Sequence, residues 1–146
     1  MYILLFVPNP SPCVCTSLRM ATRVVVRHYD RALAPAGLKT SAYSILSRLD
    51  REGAQTIGSL AASLAMDRTT LSREIAPLVE RGLVEVRAGE RDRRQKVLAV
   101  SRSGRTLLKR ARPLWSTAQA DLADTFGHER TDGLLTELRD LVGAGS

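Results

Sequence analysis

Rings are scarce in this chain: Phe, Trp and Tyr together make 4% of it, and there is one Trp. Each aromatic is therefore a candidate anchor for packing or for a ligand. Thiols are scarcer still. The two cysteines, Cys13 and Cys15, are too few and too close together for a disulfide framework, so a reducing, cytoplasmic setting is expected. The two histidines, His28 and His128, show no metal-ligand spacing. Ser/His/Asp, HExxH and P-loop patterns are missing as well. These absences argue against an enzyme, and no catalytic residue, metal or cofactor is expected. No stretch approaches transmembrane length, and no membrane partner is expected. Tyr2 to Val7 is apolar but short, has no basic residues before it and ends at Pro8, which does not fit a signal peptide. Residues 1–12 stand apart as a disordered tail, an arm packing on a partner subunit, or an artefact of an upstream start codon. Internal repeats and low-complexity segments are also absent.

What the chain does have is positive charge, and it is concentrated. The 146 residues carry a formal net charge of +7 and a pI near 10.2. Between Arg68 and Arg112 lie thirteen of the 22 Lys/Arg and five of the 15 Asp/Glu, a net +8, which leaves −1 for all the rest. Charge needed only for solubility would be spread out, whereas a confined patch is the footprint of a polyanion binder. After Arg112 the sign reverses, with six acids and two bases.

The same segment has the most legible local structure. Asp67 suits an N-cap, because its carboxylate can accept the orphan N–H groups of a first helical turn. Leu71, Ile75, Leu78 and Val79 then fall on one apolar stripe. The other side presents Thr69, Thr70, Ser72 and Arg73, short polar side chains and a guanidinium that could approach DNA closely. Gly82 stands where a helix end favours a left-handed residue. Leu83 to Arg87 and Lys96 to Val100 read as two strands, and the tip between them holds Gly89, Arg91, Asp92, Arg93 and Arg94. A helix able to enter a major groove, followed by a basic hairpin able to reach a minor groove, is a winged helix-turn-helix.

Elsewhere the pattern is helical. Cys13 to Leu33 carries Leu18, Ala21, Val25, Tyr29 and Leu33 on one stripe, and Pro35 and Gly37 end it. Thr40 is expected to cap a second helix, with Ala42, Ile45, Leu46 and Leu49 inward. Thr56 is expected to cap a third, with Ile57, Leu60, Ala61 and Leu64 inward, and Ala65-Met66 makes the turn into the reading helix. Ser101 can cap a long helix kinked at Pro113 and stopped at Gly127. A last helix is expected from about Thr131, with Leu134, Leu135, Leu138, Leu141 and Val142.

Three runs sharpen this reading: Met66-Asp-Arg-Thr-Thr-Leu-Ser-Arg73, then Pro77-Leu78, then Arg81-Gly-Leu-Val84. Asp92-Arg-Arg94 follows, with Val97, Val100-Ser101 and Gly104 spaced behind it. Together they resemble the MarR family of bacterial regulators from roughly Cys13 to Val142. The resemblance implies one mostly α domain over 13–146, in which 13–36 and 101–146 form a dimerisation module and 40–100 the winged helix-turn-helix. It implies a homodimeric repressor on a pseudo-palindromic DNA operator, and Arg68 joins Thr69, Thr70, Ser72 and Arg73 as a candidate DNA-binding residue. It implies that Arg94 enters the minor groove, with Arg91 and Arg93 as alternatives, that Asp92 orients one of these arginines, and that a proline is tolerated at 77.

Two triggers for release stay open. One is a small aromatic or anionic ligand between the two modules, with Arg23, Arg27, His28, Tyr43 and Trp115 as candidate liners. The other is oxidation of Cys13 or Cys15, as in the family's peroxide sensors, with Tyr29 and Tyr43 as candidate partners of the sulfur. The residues around the two cysteines depart from the sensors' pattern, and a buried, inert thiol is the commoner case. A winged helix serving protein contacts alone is a further alternative, although it would not need three arginines at the tip.

Overall fold

The computed structural model describes residues 12–145; the stretch read as tail or arm lies outside them except for Pro12. Helix α1 spans Val14–Leu33 and runs into a single 3-10 turn over Ala34–Ala36. Gly37 reverses the chain at φ 65°, and α2 follows over Thr40–Glu52. Thr40 does not cap α2 but is its first residue. The cap comes from the end of α1, where Asp30 Oδ1 accepts both the N–H and the hydroxyl of Thr40 at 2.7 Å. Local sequence suggested Thr40 because a tertiary cap ten residues away leaves no local signature.

Strand β1 is two residues, Gln55–Thr56, and leads into α3, Ile57–Ser63, where Thr56 accepts the Ser59 N–H as expected of a cap. The turn into α4 places Ala65 at φ 51°. It is closed by N–H bonds from Met66 to the Ala61 carbonyl at 2.9 Å and from Ala65 to that of Ala62 at 3.1 Å. Helix α4 covers Arg68–Glu80, β2 Val84–Ala88 and β3 Lys96–Val100. The sheet order is β1-β3-β2, antiparallel throughout, with Val84 opposite Val100 and Ala88 opposite Lys96. β1 was not legible in the sequence, since two residues cannot display alternation; it pairs Gln55 with Leu98 and Thr56 with Val97.

Helix α5 runs Arg102–Phe126, continuing through Pro113, and α6 runs His128–Ala144 after Gly127 turns the chain at φ 102°. α6 therefore starts three residues before the expected Thr131. That residue is buried, its hydroxyl donating to the Gly127 carbonyl at 2.8 Å.

One core joins these elements. Leu33 and Leu38, Ile45, Leu46 and Leu49 of α2, Leu60 of α3, and Leu71, Ile75 and Leu78 of α4 meet Val84, Leu98 and Val100 of the sheet and Leu108 of α5. Val79, expected on the α4 stripe, is 37% exposed. At about 100° per residue it sits roughly 80° around the helix from Leu71, at the edge of the buried face. The apolar residues of α6 are another matter. Leu134, Leu135, Leu141 and Val142 are exposed, as are Val14, Met20 and Val26 of α1.

Candidate nucleic-acid interface

The start of α4 is fixed by its own side chains. Asp67 Oδ1 accepts the Thr70 N–H at 2.8 Å, and Oδ2 accepts the Thr70 hydroxyl at 2.6 Å. These bonds, the hydroxyl's first, hold the Asp67 carboxyl below the usual aspartate range. Thr70, a candidate reading residue, thus has its hydroxyl proton committed to the cap. Ser72 likewise donates to the Arg68 carbonyl at 2.7 Å. Thr69 and Arg73 are exposed, with no side-chain hydrogen bond or ion pair among the described residues. The far end of α4 closes in a Schellman arrangement: the Leu83 N–H reaches the Leu78 carbonyl at 2.8 Å and the Gly82 N–H that of Val79 at 2.9 Å. Gly82 sits at φ 68°, the left-handed conformation this motif needs.

The wing leaves from there. Its root is over-determined. Ser101 is buried; its Oγ accepts the Gly104 N–H at 3.0 Å as the cap of α5 and donates to the Gly82 carbonyl at 2.6 Å. The Ser101 N–H bonds the Leu83 carbonyl at 3.0 Å. Gly104 packs so closely that a methyl there would lie 2.3 Å from the Leu83 carbonyl oxygen and 2.8 Å from Val100 Cγ2. The tip is lightly held. Asp92 accepts the Arg94 backbone N–H at 2.9 Å, and Gly89 donates to the Gln95 carbonyl at 2.7 Å. Asp92, expected to orient one of these arginines, holds the turn through Arg94's backbone. Arg91, Arg93 and Arg94 are exposed and form no ion pair among the described residues.

The candidate ligand liners are only partly brought together. Tyr43 stacks on Trp115, with centroids 5.9 Å apart and planes at 14°, and Tyr29 stacks on the same indole at 6.4 Å. His28 Nε2 lies 2.8 Å from the Ala118 carbonyl, and Tyr29 donates to Gln119. Arg23 and Arg27 stay exposed on α1. The cation acting on this cluster is Arg112: burial raises the Tyr43 phenol above its ordinary pKa, and the Arg112 charge opposes that rise. Arg112 and Arg105 are both anchored by Asp50 of α2, at 2.5 and 3.4 Å. Sequence reading missed these three, although a seven-residue spacing does put the two arginines on one face of α5. A shallow groove lies elsewhere, at the wing root, where Glu85, Arg102, Thr106 and Arg110 are among its liners.

The cysteines contradict a buried, inert thiol. Cys13 occupies the N-cap position of α1, and both Cys13 and Cys15 are exposed. Bonds from the Thr16 hydroxyl and backbone N–H lower the Cys13 pKa. Within one chain the tyrosines named as partners for the sulfur stand apart from it: Tyr29 lies sixteen residues along α1, about 24 Å at helical rise, and Tyr43 packs on Trp115.

Comparison with known proteins fits this geometry. Residues 38–96 match the family model described as the MarR family. An uncharacterized HTH-type transcriptional regulator of Mycobacterium leprae, ML2140, is 32% identical over 129 residues, covering 88% of this chain and 90% of that one. The M. tuberculosis transcriptional regulator MosR, solved in complex with DNA, is 34% identical over 91% of this chain and 96% of its own, with a TM-score of 0.77. The transcriptional repressor CouR on a 23-mer DNA duplex is 26% identical over 94% and 97%, with a TM-score of 0.82. CouR from Rhodococcus jostii RHA1 has also been solved with p-coumaroyl-CoA, a match at 22% identity over 90% and 96% and a TM-score of 0.74, which bears on the fold alone. With the helix-turn-helix, the arginine-tipped wing and likeness to such regulators over about nine-tenths of the chain in place, the chain belongs to the MarR family of DNA-binding transcriptional regulators.

Proposed function

We propose that this regulator is a cytoplasmic homodimeric repressor that covers a pseudo-palindromic operator and is released by a small effector. One observation carries the reading. A capped helix presenting Thr69, Ser72 and Arg73 continues into a hairpin tipped by Arg91, Arg93 and Arg94, and none of these arginines is neutralised by a carboxylate among the described residues. α4 reads base edges in the major groove, with Arg73 as the main direct reader and Arg68, Thr69, Thr70 and Ser72 around it. One wing arginine, Arg94 first, enters the minor groove, and Asp92 shapes the turn that carries it. The apolar residues left open on α1 and α6 support residues 13–36 and 101–146 as the surface that meets a second copy. Two reading helices must meet major grooves about 34 Å apart, so a small change in their spacing costs much affinity. The test is a shift assay on the DNA flanking its own gene across a salt series. The expected log–log slope is steep, with several phosphates neutralised per dimer, and a slope near zero overturns the reading.

For release, the Tyr29–Trp115–Tyr43 stack between α1, α2 and α5 supports an aromatic anion as effector, with Arg112 as the facing cation in place of Arg23 and Arg27. A second reading is favoured by the exposed, pKa-lowered Cys13 thiol with Cys15 two residues on. A hydroperoxide would oxidise Cys13 to a sulfenic acid, releasing an alcohol; Cys15 would displace water to form a disulfide. Replacing Cys13 and Cys15 by serine separates the two readings. Operator release by peroxide that is strong in wild type and missing in the double variant supports the thiol trigger. Unchanged release by a salicylate-like anion in both proteins supports the ligand.

A further inference from the structure

We propose that Gly58 is a positioning residue for DNA binding, the platform on which the Arg68 guanidinium is laid so that its N–H groups meet an operator phosphate. The inference rests on the reading of α4 as the DNA-facing helix. Gly58 is the second residue of α3, and Arg68 is the first of α4. A methyl built on Gly58 would lie 2.8 Å from Arg68 Nη2, 3.2 Å from Cζ and 3.3 Å from Nε. The guanidinium therefore lies across the glycine, in space that any other side chain would fill. Backbone conformation gives no other reason for glycine here, because Gly58 is not among the glycines at positive φ. Within a helix glycine is a poorer choice than alanine, so its presence needs a reason in packing.

Arg68 is exposed and forms no ion pair or side-chain hydrogen bond among the described residues, which leaves its five N–H donors uncommitted there. A long, rotamer-rich side chain normally loses that freedom when it binds; one already laid flat has less to lose. Its place at the junction of the two helix-turn-helix helices suits a backbone contact, which fixes register without reading sequence. Arg81 makes a contrast, since its nearest approach to a methyl built on Gly37 is an ordinary 3.7 Å.

The test is a double-mutant cycle in the full chain, on the DNA flanking its own gene, across a salt series. Arg68→Ala should weaken binding about tenfold and flatten the salt slope by about one per protomer. Gly58→Ala should weaken it about three- to fivefold, with a urea midpoint no lower than wild type, since the side chain in the way is flexible and alanine favours the helix. The double variant should bind like Arg68→Ala alone. Losses that simply multiply, or Gly58→Ala binding as wild type does on DNA whose wild-type salt slope is steep, overturn this proposal alone. A wild-type slope near zero overturns the DNA-facing reading of α4 and this proposal with it.

Discussion

At the root of the wing, Val84 faces Val100 and both are buried, while Ser101 makes three hydrogen bonds of 2.6 to 3.0 Å, donating to the Gly82 and Leu83 carbonyls and accepting the Gly104 N–H of α5. At the tip, some five residues away, every arginine is exposed, and the turn is shaped by the Asp92 carboxylate and a few backbone bonds. The contrast separates two tasks. Aim is set where backbone is packed against backbone, because a small error in angle there moves the tip by several ångströms. Charge is supplied where nothing competes for it, because an arginine paired inside the protein would have to break that pair before meeting a phosphate. Carboxylates are spent elsewhere: Asp50 holds Arg105 and Arg112, Glu52 holds Arg48 and Arg51, and Glu85 holds Arg87.

The largest effect is expected at the root. Gly104→Ala puts a methyl into the Leu83 carbonyl and should lower unfolding free energy by about 3 kcal/mol in urea titration. A loss under about 0.5 kcal/mol would mean that the root gives way and does not set the aim. Next comes the reading face: Arg73→Ala should weaken operator binding by about 2 kcal/mol per base contact and relax sequence preference, with the urea midpoint unchanged. Wild-type binding by this variant would move the reading face elsewhere on α4. At the tip, Arg94→Ala should cost about 1 kcal/mol of affinity, most on A·T-rich flanks, where a narrow groove concentrates negative potential. Equal loss on G·C-rich flanks would reduce Arg94 to a phosphate contact, and no loss would shift insertion to Arg91 or Arg93. The smallest effect concerns the fixed frame again. Ala65 is at φ 51°, so Ala65→Gly should gain about 0.5 kcal/mol of stability, the relief of a left-handed alanine less the entropy cost of glycine. A lower urea midpoint would show that this turn is not strained.

Sequence alone determined the elements whose causes are local. Asp67 caps α4 because its carboxylate reaches N–H groups three residues on, and Gly82 ends α4 because few other residues tolerate its φ. The hairpin partners, the stripe of Leu71, Ile75 and Leu78, and the confinement of charge to Arg68–Arg112 all show within a few turns of chain. Tertiary structure decided whatever depends on residues far apart meeting. Asp30 caps α2 in place of Thr40, β1 exists only because β3 passes beside it, and Asp50 ties α2 to α5. Gly58 makes room for Arg68, and the thiols of Cys13 and Cys15 lie exposed where a buried fate was expected. The physical reason is common to these cases. Capping, turn and periodicity preferences act over one or two helical turns, so a sequence window contains both partners. Burial and contact across elements arise only once the core has closed, and no window contains them.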